Sequence, residues 1–296
     1  MSSNRLLERL KKKDKKGVFN PSTSDISYMT GFAPLDYRNG YMMQCFDDDD
    51  NVVGEYPSLG VVGGSMITIV GKSATAKTTL GIQIGTNIIR PFPDGMMIHY
   101  DLEAATNYSR VKSITGFKQS ELGQKYILKK DQGYIEDITE AIVEICHMKE
   151  SYKDEFMYDT GLKDEFNNPI KHFVPTVVLI DSIPSLRSRP EIVTDKETKA
   201  KLEQVEVGNS MARNRDVQKI SNMYANLMGM IRKYNVTIIT INHIKKKIET
   251  NMFAKTQAQI MWLKPDESLP RPKPLGRYRG DSILGNFLNC WDVLRR

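Results

Sequence analysis

The chain has 296 residues, 40% hydrophobic and 26% charged, with a net charge of +6, a composition ordinary for a globular protein with room for one large core. No apolar run approaches the roughly 20 residues that span a bilayer, and the basic N-terminus has no apolar stretch behind it, which argues against membrane and secretory readings. Cys45, Cys146 and Cys290 are widely separated and the histidines scattered, so neither a disulfide framework nor a metal-binding pair is expected, and buried thiols in a reducing cytoplasm are.

Residues 1–16 read as a short amphipathic helix with Leu6, Leu7 and Leu10 on one side, and 17–23 as a turn-rich linker; the segment is too short to fold alone. Its basic run, from Arg5 to Lys16, suits either a polyanion or a solvated helix face. Asp47, Asp48, Asp49 and Asp50 with Asn51 form a polar loop whose acids lack the spacing of a cation cage. From Met66 onward, strand-like runs at 66–70, 96–101, 126–129, 176–181, 236–242 and 290–294 alternate with helical patterns at 77–90, 134–147 and 210–233. That rhythm predicts an α/β fold with a mostly parallel central sheet flanked by helices. The runs 177–180 and 237–241 are apolar on both faces, as a sheet interior requires. Ligands of such sheets sit at the carboxyl ends of the strands. The stretch 148–174, rich in both charges, has no readable role.

The most informative segment is 66–79, where a β-branched strand leads through Gly71 into a loop and then into Lys77-Thr78 at the start of a helical pattern. Such a loop wraps phosphates with backbone N–H groups, while the Lys ammonium reaches the outer phosphates and the hydroxyl ligates Mg²⁺. One position departs from the G-x-x-x-x-G-K-[ST] pattern: Ala76 stands where a second Gly is expected. The alternative is a Gly/Ser/Thr turn between a strand and an ordinary helix.

Polar residues gather at the predicted strand ends. Asp181-Ser182 follows 177–180, and a carboxylate there can hold the water shell of Mg²⁺ beside Lys77. Asp101-Leu102-Glu103 closes 96–101, which makes Glu103 the candidate to orient and activate an attacking water. Asn242-His243 closes 236–242, where it can sense a γ-phosphate and pass its presence to the next loop. Each residue alone could equally be a helix cap or a turn residue.

After His243 the segment 244–280 holds Lys245, Lys246, Lys247, Lys255, Lys264, Arg271, Lys273, Arg277 and Arg279 against Glu249, Asp266 and Glu267. Its charge suits a polyanion, and Ile248, Phe253 and Trp262 could stack on or wedge between bases, or pack on the domain's own surface. A second irregular stretch, 187–208, leads into Arg213 and Arg215, so that two loops from neighbouring strand ends would converge on one axis.

With these elements in order, residues 26–296 resemble the RecA recombinase family, closest to its phage branch, the UvsX-like recombinases. The resemblance rests on the 66–90 segment, on His99-Tyr100-Asp101-Leu102-Glu103, on Val178-Leu179-Ile180-Asp181-Ser182 and on Ile239-Thr240-Ile241-Asn242-His243. It implies a RecA-like P-loop NTPase core with ATP and Mg²⁺ as cofactors. The implied ATP-binding residues are Gly71, Lys72, Ser73, Ala74, Thr75, Ala76, Lys77, Thr78, Thr79, Tyr108, Asn242 and His243, with Tyr108 near the adenine. Thr78 and Asp181 would serve the metal, and Glu103 with Lys77 catalysis. Loops 187–209 and 244–280 correspond to the family's DNA-binding loops, which brings Arg213, Arg215, Lys245, Lys246, Lys247, Ile248 and Phe253 to single-stranded DNA, with Ile248 as the wedge between base triplets. Gly280-Asp281-Ser282 stands where the family has a Gly pair.

The function so implied is a cytoplasmic ATP-dependent DNA recombinase, in the host cytoplasm if phage-encoded, that forms homo-oligomeric filaments for strand exchange in recombination and repair. Residues 1–25 would contact the next subunit. The family core continues past the strand matching 291–294 into lysines that reach a neighbour's ATP, so the resemblance implies either a truncated or split product, which a further polypeptide would complete and which would hydrolyse weakly alone, or a lineage lacking that lobe. Two alternatives remain: a RecA-fold DNA motor of helicase type, and a non-hydrolysing DNA-binding or filament-capping protein.

Overall fold

The computed structural model describes residues 26–47, 49–130, 133–164, 166–189, 210–243, 245–246 and 260–261, together with residue 9. The predicted N-terminal helix and the predicted strand at 290–294 lie outside the described residues.

Five strands form one parallel sheet: β5 (Met66–Gly71), β6 (Met96–Asp101), β7 (Tyr126–Lys129), β10 (Thr176–Asp181) and β11 (Val236–His243), in the order β5-β11-β10-β6-β7. Their side chains alternate between two cores, as strand geometry dictates. Val177 and Leu179 of β10 and Ile239 and Ile241 of β11 join helix α2 (Lys77–Ile89) through Ile82, Ile84, Ile88 and Ile89. Val178, Ile180, Val236 and Ile238 face the other way, onto α4 (Ile135–Ser151) and α6 (Ser210–Lys233). Burial on both faces explains why β10 and β11 read as continuous apolar runs. α4 carries apolar residues at 135, 138, 142 and 146, with Glu136 and Asp137 in its first turn and Lys149 in its last, which is the polarity its dipole favours. Glycine lets α2 lie close to the sheet: a Cβ on Gly85 would stand 2.7 Å from Met97 Sδ and 3.0 Å from Val177 Cγ1.

The rest of the chain decorates this core. β1 (Ser27–Tyr28) pairs with β4 (Val61–Val62), and between them lie α1 (Ala33–Asn39) and the antiparallel hairpin β2 (Tyr41–Phe46) to β3 (Val52–Ser58). The acids at the hairpin's turn behave as a solvated loop: Asp47 Oδ1 accepts the N–H groups of Asp49 and Asn51, each at 2.9 Å. The stretch 148–174 resolves into the end of α4, one turn longer than predicted, a short α5 (Lys153–Phe156), and a second hairpin, β8 (Met157–Lys163) to β9 (Pro169–Phe173). The two hairpins meet where Cys45 Sγ and Tyr56 Oη donate to the Lys163 carbonyl. Cys45 and Cys146 are buried free thiols. No described helix is long and apolar enough to cross a membrane.

Candidate functional site

Because the five strands run parallel, their carboxyl ends share one edge, where Gly71, Asp101, Asp181, Asn242 and His243 lie. β5 ends at Gly71, where a Cβ would come 2.9 Å from Thr75 Oγ1 and 3.3 Å from Lys77 Cδ, so the loop 72–76 packs closely over this residue and a larger one would displace those two side chains. Ala74 and Ala76 take left-handed conformations, with φ of 60° and 58°, a backbone that glycine adopts without cost and alanine does not. Ala76 therefore occupies the geometry of the expected Gly. It caps α2 without a side-chain hydrogen bond, which leaves the helix's first N–H groups turned to the loop. Lys72, Ser73 and Ala74 are exposed, whereas Lys77 is buried and donates to the Lys72 carbonyl at 2.6 Å; Thr75 donates to the same oxygen. Burial holds the Lys77 amine below its ordinary range, opposed by the charges of Asp181 and Glu103.

Thr78, next on α2, donates from Oγ1 to Asp181 Oδ2 at 2.6 Å across 103 residues of sequence. Asp181 is 4% exposed. Burial raises its pKa, countered by the Thr78 bond and reinforced by the charges of Glu103 and Asp101. On β6, Asp101 turns its carboxylate back to the N–H groups of Ala105 and Thr106, at 3.2 and 2.7 Å. That fold of the chain presents Glu103, whose Oε1 accepts Ser182 Oγ at 2.6 Å and contacts His243 Nε2 at 3.1 Å. β11 lies between β5 and β10, in register His243 to Gly71. The strand so inserted sets His243 between the Gly71 loop and Glu103. Asn242 behaves differently from its neighbour: it is buried and its Oδ1 accepts the His243 N–H at 2.8 Å.

Tyr108 opens α3 (Tyr108–Thr115), accepts the Leu128 N–H at 3.2 Å and borders a groove of about 470 Å³ lined by Asn107, Ile127, Leu128, Lys129 and Lys130. Arg110 in the same turn reaches Thr79 Oγ1 at 3.4 Å, which links α3 to the first turn of α2. Sequence reasoning assigned no role to Arg110, Ser182 or Asp101. Ser182 and Asp101 stood inside the motifs quoted above. Arg110 carried no such mark.

The predicted DNA contacts are only partly described. Lys247, Ile248 and Phe253 lie outside the described residues, as do 190–209. Arg213 lies in the first turn of α6, and Arg215 follows it there, half-buried. Lys245 and Lys246 form β12 and pair antiparallel with β13 (Ile260–Met261). No protein-family model matches the chain, and no curated protein matches it in sequence.

Proposed function

We propose that the chain is an ATP-dependent, DNA-binding ATPase of RecA-like P-loop type, acting as a recombinase that assembles on single-stranded DNA. The observation that carries this reading is the 2.6 Å contact between Thr78 Oγ1 and Asp181 Oδ2, with Lys77 beside it and Glu103 and His243 at the same sheet edge. A hydroxyl and a carboxylate so placed suit one Mg²⁺ ion, the hydroxyl in its inner shell and Asp181 holding its waters. Gly71 and the left-handed Ala74 and Ala76 give the loop the concave backbone that phosphate oxygens need. Lys77, spending a hydrogen bond on the Lys72 carbonyl, has a donor that an outer phosphate can take over.

When bound, MgATP supplies the scissile anhydride and the charge that these residues neutralise. Glu103 would hold and deprotonate a water, His243 would link its position to the chain that follows, and Tyr108 with Arg110 would flank the base. The nine Lys/Arg of 244–280 begin where β11 ends, which supports coupling of nucleotide state to a polyanion. Filament formation and a cytoplasmic setting belong to the same proposal.

The test is ATP turnover by the pure chain, with and without single-stranded DNA, in wild type and Lys77→Ala. Stimulation by DNA in wild type and a loss of at least about 100-fold in the variant are expected. Unchanged turnover in Lys77→Ala would overturn the assignment. DNA binding with no turnover would transfer the chain to the capping class, and directional unwinding by a ring without strand exchange would transfer it to the motors.

A further inference from the structure

We propose that His99, Asp101 and Asp181 form a binding site for one divalent first-row transition-metal ion at the base of the sheet edge, with a ligand set different from the Thr78–Asp181 pair. Three observations converge on it. His99 and Asp101 are two residues apart on β6, hence on one face of the sheet, and Asp101 is paired in register with Asp181 on the adjacent β10. The ligand atoms the three side chains offer lie within 4.8 Å of one another, and the residues are 0%, 0% and 4% exposed.

The imidazole makes this more than a pair of buried acids. His99 Nδ1 is 2.8 Å from Tyr126 Oη, and Tyr126 is on β7, the strand on the opposite side of β6 from β10. The ring's other nitrogen therefore lies on the side away from Tyr126 and β7. There His99 Nε2 is buried with no hydrogen-bond partner. A proton on Nδ1 given to the Tyr126 oxygen leaves the Nε2 lone pair free, which is how a ligating histidine is usually oriented by its other nitrogen. Burial keeps the ring neutral, with its pKa down at about 4.

Charge balance points the same way. Asp101 satisfies part of its carboxylate with two backbone N–H groups and Asp181 with the Thr78 hydroxyl, and each carboxylate has about four acceptor positions. Two buried anions side by side favour a shared cation. An imidazole nitrogen with two carboxylates suits Mn²⁺, Co²⁺ or Zn²⁺, whereas Mg²⁺ and Ca²⁺ take oxygen ligands. Neighbouring ligand atoms around a tetrahedral ion are about 3.4 Å apart, so side-chain rotations that draw the three atoms together would close the set. An ion there would neutralise both acids and tie β6 to β10 directly beneath Glu103 and Thr78.

The inference goes beyond the nucleotide reading and does not require it, because its test contains no nucleotide. Co²⁺ is titrated into the nucleotide-free full chain and followed by its visible absorption. The expected result is saturation at one equivalent, with affinity at least about tenfold weaker in His99→Phe and preserved in the exposed control His147→Gln. Absence of saturable binding in wild type, or equal affinity in His99→Phe, overturns the proposal. If His99→Phe does not fold, wild type decides alone: substoichiometric Mn²⁺ should broaden first the ring signals of the histidine adjacent to Tyr126. First broadening at His147, His172 or His243, or none at all, overturns it.

Discussion

Glu103 shares one carboxylate oxygen between Ser182 and His243, and Glu103→Gln keeps its length while removing its basicity. Turnover should fall by at least about 100-fold while MgATP affinity stays within a few-fold, as read by steady-state kinetics beside equilibrium binding. Normal hydrolysis by the variant would leave Glu103 with a structural role only. At Ala76 the left-handed backbone, φ 58°, makes a stability forecast. Ala76→Gly should raise the unfolding free energy by about 0.5–1 kcal/mol, the strain relieved less the added freedom of the unfolded chain. An unchanged or lowered denaturant midpoint would refute that reading. Glu103 and Asp181 stood out in the sequence because polar residues end apolar runs there, and Lys77 and Thr78 because a Gly-led loop opens a helical pattern at them. Ser182 as a partner of Glu103, Arg110 as a partner of Thr79 and the orphan nitrogen of His99 were not. Each is defined by what a different strand or helix brings to it, across 79, 31 and 27 residues of sequence.

Among the elements, α4 is fastened by a buried cation. Lys149 Nζ donates to the carbonyls of Val174 at 2.6 Å and Tyr234 at 2.9 Å, joining α4 to the entries of β10 and β11. Lys149→Met should cost about 2 kcal/mol, because both carbonyls lose their donor in a dry site. Burial pushes the amine from 10.5 down to about 7. Between those values the unfolded chain holds a proton that the folded one releases, so stability falls as pH drops through the window and is flat below it. Chemical denaturation at pH 7 and pH 9 should show wild type gaining stability relative to Lys149→Met on going up in pH; parallel curves would contradict it. β10, β11 and α2 were readable because 177–180 and 237–241 are apolar on both faces and the helical pattern after Lys77 is long. The hairpins β2–β3 and β8–β9 were not. Their strands are half-exposed, and they are held by distant contacts such as Cys45 to Lys163 and Tyr28 to Tyr158, which no local periodicity reports.

For the molecule as a whole, the strand order β5-β11-β10-β6-β7 does the assembling. Inserting β11 beside β5 sets His243 next to Gly71, and placing β10 beside β6 sets Asp181 next to Asp101. The sequence marked the strand ends but could not order the strands, since parallel neighbours are joined by crossovers whose pairing is decided only in the folded sheet. The most direct measurement is the Mg²⁺ dependence of ATP affinity in wild type and Thr78→Val. If hydroxyl and carboxylate jointly serve one ion on a triphosphate, Mg²⁺ should tighten ATP binding by at least about tenfold in wild type and by little in the variant. ATP affinity that is absent in wild type, or equally Mg²⁺-dependent in both proteins, would contradict it.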